Sequence, residues 1–509
     1  MNSKLSHYVL ALDLGTTGNR AMLFDAQGTV TGGAYKELTQ YYPQPGWVEH
    51  DPQEIWQDTC ECIKQVLRDT GITANQIAAI GLAVQRETCL LWDKTTGKPL
   101  HNAIVWQDRR TSLMCQQLAE QGHAAKILDL TGLVLDAYFS ATKLAWLLET
   151  VKHSGLEVNL DNVLAGTVDS WVLWNLTGGQ VHATDHSNAS RTMLMNLADL
   201  SWSPALLDLF RIPANLMPQI KPSMGLFGKT IPELLGVAIP ITAVFGDQQA
   251  ALFAHGCNQP GMLKCTYGTG CFLISQTGNQ LIRSHNQLLS TVAWTVATNT
   301  GATEVNYAQE GAMFTTGASI QWLRDGPKLI TTSAQTEQLA HQVSDTNGVY
   351  FVPALCGLGT PHWDMSARGA FLGITGGVGR EHMVRAVLES IAYQVKEVVE
   401  AINRDSDTPI KHLKVDGGVA QNDFLMQFQA DVLGIAIERP TIIEATAQGA
   451  AFAAGLTLGY WDNYDNLVKR NKIDRIFEPS GGSAKAIANF SMWLKAVERA
   501  KNWIDDKTE

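Results

Sequence analysis

A short segment near the start of the chain, Asp13-Leu-Gly-Thr-Thr-Gly-Asn-Arg20, contains the residue types that bind phosphate. Glycines let the backbone approach an anion, threonines add hydroxyl and N–H donors, and arginine neutralises charge; these are Gly15, Thr16, Thr17, Gly18 and Arg20. The segment is not a Walker loop, because the pattern G-x-x-x-x-G-K-[ST] is missing. An ordinary β-hairpin turn is the alternative, because Gly, Asn and Asp are common in such turns.

The strand that precedes this segment gives two of its residues distinct roles. Residues 8–12 form an apolar run that predicts a strand, and Asp13 follows at its end. There the carboxylate could hold Mg²⁺ directly or through water. Leu14 is apolar, so we expect its side chain to pack with the strand.

A second acidic turn, Phe245-Gly-Asp-Gln-Gln-Ala, contains a candidate general base. Asp247 follows a glycine at a strand end, where it could accept the proton of a hydroxyl that attacks a phosphoryl group. Gln248 could orient the same hydroxyl, and residues 250–253 predict the start of a helix. The alternative is that Asp247 caps this helix.

Three glycine-containing turns follow in the second half of the chain, at residues 266–270, at Gly417-Gly418 and at Gln448-Gly449. Each is weak evidence for a ligand site when taken alone, because most short glycine turns only reverse the chain. Together with the segment that begins at Asp13, they favour a nucleotide site.

A polar group follows the apolar strand predicted at residues 78–84. Arg86 and Glu87 could offer both donors and acceptors to a small polyhydroxy ligand, and Trp106 and Tyr138 could form walls of that site. The alternatives are a solvated surface ion pair for the charged residues and ordinary core positions for the aromatic residues.

The elements that must position these residues are strands that alternate with helices. The first strand's pattern, an apolar run ending in an acidic glycine turn, recurs at residues 239–247 and 412–418. This repetition favours a nucleotide cleft between two related halves. Alternating strands and helices predict an α/β architecture, and we expect a domain boundary near Phe253, giving domains 1–253 and 254–509.

Helix signals lie between these strands. Asp51, Pro52 and Glu54 predict an N-cap, a first helical residue and a capping box. Apolar residues at helical spacing from Arg380 to Asn403 predict a core-facing helix, and residues 483–506 predict a closing amphipathic helix.

Bulk composition narrows the class of protein. With 509 residues, two or more domains are expected, and 45% hydrophobic content is typical of a globular chain. The net charge of −11 argues against a protein that wraps nucleic acid with a basic face. We find neither a signal peptide nor an apolar run long enough to cross a bilayer, and therefore expect no membrane insertion.

Eight scattered cysteines complete the composition. They form no C-x-x-C pair and no cluster with histidine at zinc spacing. Reduced and mostly buried thiols in a cytoplasmic enzyme are therefore the expected state.

Long segments of the chain together resemble the FGGY carbohydrate kinase family, and within it the branch that phosphorylates glycerol. The matching segments occur in the family's order along most of the chain, at residues 43–52, 85–88, 92–99, 102–111, 138–143, 187–193, 246–253, 266–272, 321–326, 388–394 and 424–431. A series of long matches is far more specific than any single glycine turn.

The resemblance implies a two-domain actin-like ATPase (ribonuclease H-like) fold, with ATP and glycerol in the interdomain cleft. By this likeness Asp247 is the general base and Asp13 carries Mg²⁺. The residues that match the glycerol site are Arg86, Glu87, Tyr138, Asp247 and Gln248, with Trp106 and Phe272 as an apolar wall. The residues that match the nucleotide site are Thr16, Thr17, Gly18, Arg20, Thr269, Gly317, Gln321, Gly418 and Asn422. The family also suggests a homo-oligomer, either a dimer or a tetramer.

The sequence departs from the family pattern at several places, including the residues after the Asp-Gly-Gly turn, where Val-Ala-Gln-Asn-Asp keeps Asn422. Leu14 stands where the family usually has Gln, and Gly18-Asn19 replaces a serine pair, so we expect the local phosphate contacts to differ. Residues 225–240 lack the loop that binds fructose 1,6-bisphosphate in some relatives, which argues against control by that effector. A sister kinase acting on erythritol or xylulose is the first alternative, and a non-catalytic ATP-dependent switch protein is the second.

Overall fold

The computed structural model describes residues 7–153, 159–298, 300–406, 408–441, 444–481 and 483–504. Its first strands are β1 Tyr8–Leu14, β2 Gly18–Phe24, β3 Val30–Glu37, β4 Glu49–His50, β5 Ile77–Val84, β6 Cys89–Asp93, β7 Ala103–Ile104, β8 Val163–Thr167, β9 Ala183–Asp185, β10 Met195–Asn196, β11 Ser201–Trp202, β12 Gln219–Lys221 and β13 Met224–Lys229. They continue as β14 Pro240–Gly246, β15 Leu263–Tyr267, β16 Cys271–Gly278, β17 Leu289–Ala297, β18 Thr303–Met313, β19 Tyr350–Val352, β20 Ala370–Leu372, β21 His412–Asp416, β22 Ala436–Pro440 and β23 Ile473–Phe477.

The helices cover both faces of the main sheet. They are α1 Pro52–Thr70, α2 Ser112–Glu120, α3 Ala124–Thr131, α4 Ser140–His153, α5 Val168–Leu176, α6 His186–Ala189, α7 Pro204–Leu209, α8 Pro232–Leu235, α9 Asp247–Ala254, α10 Gly317–Asp325, α11 Gln335–Ala340, α12 Arg380–Asp405, α13 Asp423–Leu433, α14 Ala445–Leu458, α15 Tyr464–Val468 and α16 Ser483–Ala500.

One large mixed sheet runs through the molecule in the order β23-β22-β21-β15-β16-β18-β17-β13-β14-β5-β1-β2-β3. The strands of the second half, β15 to β18 and β21 to β23, lie together at one end. The two halves meet where β13 pairs with β17, and Met224 is the partner of Val296 there. The first half also contains a smaller sheet of four strands, in the order β4-β7-β6-β8.

The core of the first half is built on parallel strands. Strand β1 pairs in parallel with β5, and β5 pairs in parallel with β14. Both faces of these strands are covered, so their residues form nearly continuous apolar runs, and residues 9–12 are completely buried. This arrangement explains why the apolar run before Asp13 predicts a strand correctly.

Helix α14, from the second half, returns to pack on the first half. It contacts α9 and strands β1, β5 and β14, and the hydroxyl of Thr242 donates to the carbonyl of Ala454 at 2.9 Å. The approach to α9 is close enough that a Cβ at Gly449 would lie 1.9 Å from the carbonyl oxygen of Ala250. The predicted turn at Gln448-Gly449 is therefore wrong, because both residues lie inside α14, where the glycine permits helix contact.

Several helix predictions are confirmed, with one exception at α1. Asp51 is the N-cap of α1 and its side chain accepts from the backbone N–H of Gln53, while Pro52 is the first helical residue. Glu54 does not complete a capping box; instead it accepts bonds from the backbone N–H and the hydroxyl of Thr39. The predicted helix at residues 380–403 is α12.

The closing helix predicted at residues 483–506 is α16, which ends at Ala500, and residues 505 and 506 lie outside the described residues. All eight cysteines are free thiols, and six of them are buried. Within the described part of the chain, no helix is both long enough and apolar enough to cross a membrane.

Candidate active site

Three neighbouring parallel strands of the first half end at the same edge of the sheet. Asp13 is the next-to-last residue of β1, Arg86 and Glu87 follow β5, and Asp247 follows β14. Because parallel strands direct their carboxyl ends to one side, these residues come together although they are far apart in sequence. The acidic strand ends seen in the sequence are thereby brought to one place.

The segment that begins at Asp13 is a β-hairpin. A hairpin and a phosphate-binding loop, the two interpretations of this segment, are therefore compatible. Strands β1 and β2 pair antiparallel with Asp13 opposite Arg20, and the N–H of Gly15 donates to the carbonyl of Gly18 at 3.0 Å. The residues at its tip, Thr16 and Thr17, face a cavity. The prediction of a β-hairpin turn is thus confirmed, and the hairpin leaves the threonine donors exposed at its tip.

The residues of this hairpin that depart from the family pattern, Leu14, Gly18 and Asn19, do not line the cavity. Leu14 is completely buried in the core, as expected. Asn19 is also buried and donates its side-chain N–H to the carbonyl of Ile55. A Cβ at Gly18 would lie 2.5 Å from the ring of Tyr35, so the glycine makes room for this ring.

Charged groups surround Asp13 at the base of the hairpin. Arg20 lies 3.6 Å from the Asp13 carboxylate and forms a close ion pair with Glu444 from the second half. Burial, opposed by Arg20 and reinforced by the carboxylates of Asp247 and Glu444, raises the pKa of Asp13 to about 7. Burial thus disfavours the ionised carboxylate of Asp13, and a cation bound beside it would favour that form.

A cavity of about 440 Å³ lies at this edge of the sheet. Residues of both halves line it, and the predicted residues among them are Thr16, Thr17, Arg86, Glu87, Trp106, Tyr138, Asp247, Gln248, Thr269, Phe272 and Gln321. We call it the inner cavity. Three predicted residues, Asp13, Gly18 and Arg20, lie near it but do not line it.

Arg86 is not part of a solvated surface pair, because its side chain is only 2% exposed. Its Nη1 and Nη2 bond to the two carboxylate oxygens of Glu310, at 2.5 and 2.9 Å. Its Nε lies 3.3 Å from Oδ1 of Asp247. The surface alternative for Arg86 and Glu87 is therefore wrong.

Glu87 is fixed beside it by an unusual backbone conformation. Its φ is 59°, a value that side-chain-bearing residues adopt rarely and that often marks functional sites. The hydroxyl of Ser140 donates to its carbonyl, and Nε of Arg191 donates to its carboxylate at 2.7 Å. The carboxylate is thereby held in the wall of the inner cavity.

Aromatic rings form another wall. Trp106 contacts both Tyr138 and Phe272 edge to face, with ring centroids 5.6 Å apart in each pair. Its indole N–H donates to the hydroxyl of Thr16 at 2.8 Å. Tyr138 is 1% exposed, as the alternative of an ordinary core position predicts, but its side chain also lines the inner cavity.

Asp247 is the first residue of α9, one turn earlier than the helix start predicted at residues 250–253. The N-cap is Gly246. Asp247 accepts from the N–H of Gln248 next to it at 2.7 Å, and Nε of Arg86 lies 3.3 Å from the same carboxylate oxygen. A quarter of its side chain is exposed in the inner cavity. Its carboxylate is thus available to a ligand, and capping is at most a second role.

Gln248 has a partner that the sequence did not indicate. The ammonium of buried Lys264 donates to its side-chain oxygen, and also to the hydroxyl of Thr266 at 2.7 Å. Burial, opposed by the charges of Asp416 and Asp247, lowers the pKa of Lys264. A lysine only donates hydrogen bonds, so it must face the amide oxygen of Gln248, which leaves the amide N–H groups for the cavity.

A second cavity, of about 480 Å³, opens beside the first and lies in the second half. We call it the outer cavity. All five residues predicted to bind nucleotide in the second half line it, namely Thr269, Gly317, Gln321, Gly418 and Asn422. Gly268, Thr269 and Gln321 line both cavities, so a ligand that fills the outer cavity can reach the inner one.

The sequence reasoning missed three charged residues that support the inner cavity: Arg191, Lys264 and Glu310. Each side chain is completely buried or nearly so. Lys264 lies between Leu263 and Cys265 in β15, and a charged residue between apolar strand residues is a signal that could have identified it, because such a residue is rarely buried unless it is paired. Glu310 lies in β18, whose sequence also contains Thr, Glu, Asn and Gln, so no local signal distinguishes it.

Models of two domains match the chain. The N-terminal domain of the FGGY family of carbohydrate kinases matches residues 8–254, and the C-terminal domain of the same family matches residues 263–458. A protein named glycerol kinase from Rippkaea orientalis is 68% identical over 499 residues, which is 98% of this chain and 99% of that protein. One named glycerol kinase 2 from Thermotoga maritima is 52% identical over 97% of this chain and 99% of its own length.

Solved structures agree in fold. Plasmodium falciparum glycerol kinase with ADP has a TM-score of 0.88 and 33% identity, and the match covers 97% of this chain and 98% of that one. A xylulose kinase from Lactobacillus acidophilus has a TM-score of 0.86 at 21% identity, over 97% and 98% of the two chains. These matches confirm the predicted two-domain α/β fold of the actin-like ATPase class.

Proposed function

The chain belongs to the FGGY family of carbohydrate kinases, and we propose that it transfers the γ-phosphoryl group of ATP to a terminal hydroxyl of glycerol. The product is sn-glycerol 3-phosphate. One observation carries the proposal: the inner cavity combines paired charges, an exposed carboxylate and an aromatic wall, and it opens into the outer cavity through shared lining residues. The names of the relatives point to the same substrates.

The inner cavity suits a three-carbon polyol. Arg86 and Gln248 offer donors, and Glu87 offers an acceptor, to the hydroxyl groups. The rings of Trp106 and Phe272 lie against the carbon chain. A site built from buried polar groups rejects ligands that lack a hydroxyl, because the unmatched group stays unpaired.

Asp247 is the general base in this proposal. Its carboxylate accepts the proton of the hydroxyl as the oxygen attacks the γ-phosphorus, and the phosphorus–oxygen bond to ADP breaks. Nε of Arg86, 3.3 Å away, holds the carboxylate in place. Positioning of this kind supplies most of the catalysis, because phosphoryl transfer needs little covalent help from a protein.

ATP occupies the outer cavity, with its phosphates directed to the inner one. In this proposal Gly317, Gly418 and Asn422, which line the outer cavity, hold the nucleotide, and Thr269, which lines both cavities, contacts its phosphates. The N–H groups and hydroxyls of Thr16 and Thr17 at the hairpin tip bind phosphate oxygens from the other side. Gly18 keeps the hairpin close to Tyr35, and Arg20 supplies positive charge near the base of the hairpin.

Mg²⁺ fits beside Asp13. Within the described residues no three His, Cys, Asp or Glu side chains form a metal cluster, but Mg²⁺ usually takes one or two carboxylates together with phosphate oxygens and water. Burial, with smaller contributions from Asp247 and Glu444, raises the pKa of Asp13, and a bound cation would favour its ionised form. When bound, the ion neutralises charge on the transferring phosphate.

We further infer the organisation of the enzyme. The domain boundary lies near Phe253, dividing the chain into residues 1–253 and 254–509. The enzyme works in the cytoplasm. It forms a homo-oligomer, either a dimer or a tetramer, and this proposal is supported by its likeness to the family. Eight free thiols suit a reducing compartment. Light scattering on the purified enzyme tests the oligomer.

A coupled assay of ADP release over a panel of polyols and ketoses tests the substrate. We expect turnover that depends on ATP and Mg²⁺ with glycerol, and a much lower kcat/KM with erythritol and xylulose. Turnover with xylulose and none with glycerol would make this a sister kinase. Release of ADP that no polyol or sugar stimulates would instead favour an ATP-dependent switch.

A further inference from the structure

We propose that Glu310 and Arg191 are positioning residues that fix the two charged groups of the polyol site, Arg86 and Glu87. This inference rests on the proposed function and deepens it. Glu310 comes from strand β18 of the second half, whereas the other three residues belong to the first half. Neither Glu310 nor Arg191 lines the inner cavity, so both act through the residues that do.

Glu310 holds Arg86 by two bonds at once. Its Oε2 accepts from Nη1 at 2.5 Å and its Oε1 accepts from Nη2 at 2.9 Å. Such a two-point pair fixes the plane of the guanidinium group as well as its position. The orientation leaves Nε of Arg86 facing Asp247 at 3.3 Å, and Nη2 3.5 Å from the hydroxyl of Tyr138.

Arg191 joins the two carboxylates of the network. Its Nη2 donates to Oε1 of Glu310 at 3.1 Å, and its Nε donates to Oε1 of Glu87 at 2.7 Å. Glu87 in turn lies 3.8 Å from Nε of Arg86. The four residues therefore form a closed ring of alternating charge, with two positive and two negative members.

The ring is stable only when it is complete. All four side chains are at most 2% exposed, so water cannot replace a missing member. Although burial raises it, Arg191 and Arg86 hold the pKa of Glu310 below its usual range, which keeps this carboxylate charged. Without that charge, two guanidinium groups would face Glu87 alone, and Arg86 would turn from its position beside the ligand.

The consequence is specific to the polyol. Arg86 and Glu87 line the inner cavity but not the outer one, so loss of Glu310 should weaken recognition of hydroxyls and spare the nucleotide. A residue that merely supported the fold would affect both ligands or neither. The discrimination between glycerol and propane-1,2-diol, which lacks one hydroxyl, measures how well these groups are placed.

The test uses Glu310→Gln, which keeps the shape and removes the charge, in the full-length enzyme. We expect KM for glycerol to rise roughly tenfold or more, and KM for ATP to stay within about twofold. We also expect the ratio of kcat/KM for glycerol to that for propane-1,2-diol to fall roughly tenfold, and Glu310→Asp to recover part of the loss. An unchanged KM for glycerol together with an unchanged ratio would overturn the proposal.

Glu389→Gln is the matched control. Glu389 is also a buried glutamate of the second half that pairs with an arginine, Arg385, at 2.8 Å, but it lines neither cavity. We expect it to lower the melting temperature without changing KM for glycerol or the diol ratio. If it changes them as much as Glu310→Gln does, the effect is a general one of lost buried charge and the proposal fails.

Binding of ADP shows whether each variant is folded. If Glu310→Gln does not bind ADP, Arg191→Lys replaces it, because lysine keeps the charge but cannot bridge two carboxylates in the same geometry. KM for glycerol must then rise while ADP still binds, and an unchanged KM would overturn the proposal. If the wild type prefers another polyol, the proposed substrate is wrong, and the same variants are measured with that polyol.

Discussion

The indole N–H of Trp106 donates to the hydroxyl of Thr16 at 2.8 Å, and this bond connects the wall of the inner cavity to the tip of the hairpin. The same ring contacts Tyr138 and Phe272. A ligand that moves the ring must therefore also move a residue proposed to bind phosphate. We therefore expect this hydrogen bond to couple the proposed polyol site to the proposed phosphate site.

Removing this bond should slow phosphoryl transfer without emptying the polyol site. Trp106→Phe keeps an aromatic ring and removes the N–H donor, so we expect kcat to fall several-fold. Thr16→Val should have a similar effect, and the double variant should be little worse than either single variant. Steady-state kinetics with glycerol and ATP measures all three.

Trp92→Phe is the control for this pair. Trp92 is completely buried, and its indole N–H has no hydrogen-bond partner among the residues that the structure describes. We expect the variant to be less stable, because a core side chain becomes smaller, but to keep its kcat. Equal losses of kcat in Trp92→Phe and Trp106→Phe would refute the coupling.

Gly246 is required by the stem of Arg86. A Cβ at this position would lie 2.7 Å from Cδ of Arg86, and the bonds to Glu310 prevent that stem from moving away. We expect Gly246→Ala to raise KM for glycerol roughly tenfold by displacing the guanidinium group. Gly376→Ala, at a position with nothing within 4 Å of the added Cβ, should leave the kinetics unchanged. A wild-type KM in Gly246→Ala would show that Arg86 can shift freely.

Lys264 should matter because it orients Gln248. Lys264→Met keeps the apolar stem and removes the donor, and a hydrogen bond to a charged group is worth about 1.5–3 kcal/mol. We therefore expect KM for glycerol to rise roughly tenfold or more. Gln248→Met should act similarly, and the two changes should not add. Strict additivity in this double-mutant cycle would contradict the assignment.

The strands that carry the site could be predicted from the sequence. Residues 9–12 form an uninterrupted apolar run because both sheet faces are covered, and Asp13 ends it with a charge. Asp247 follows a similar run. The candidate site residues taken from the family resemblance include eleven of the seventeen residues that line the inner cavity.

The pairing of the supporting charges could not be predicted from local sequence. Glu310 reaches Arg86 across 224 positions, and this contact exists only because β18 lies in the same sheet as β5. The turn predicted at Gln448-Gly449 is wrong for a related reason. The glycine there permits contact between α14 and α9, and local sequence does not distinguish this role from a turn.

The enzyme should lose stability as the pH falls from about 6.5 to about 4. Burial lowers the pKa of His50 from 6.5 to about 4, so over this range the unfolded chain binds a proton that the folded chain does not. His50→Gln removes the titrating group. We expect the melting temperature of the variant to fall less steeply with pH than that of the wild type.

The contribution of His50 to the pH dependence of stability is large enough to measure. Each unit of pKa difference corresponds to about 1.4 kcal/mol, so His50 alone contributes on the order of 3 kcal/mol across the range. The ring bonds to the side chains of Gln40 and Gln85, and Gln at position 50 can keep one of these contacts. Parallel slopes for wild type and variant would refute the role of His50.

We propose that Asp247 is the base that takes the proton from glycerol. Asp247→Asn keeps the shape of the side chain and removes its ability to accept the proton. The most direct measurement is the rate of ADP release with saturating ATP, Mg²⁺ and glycerol, combined with calorimetric binding of ADP. We predict that the rate falls by a factor of about 100 or more while ADP binds as tightly as in the wild type. A variant that keeps most of its activity would contradict the account.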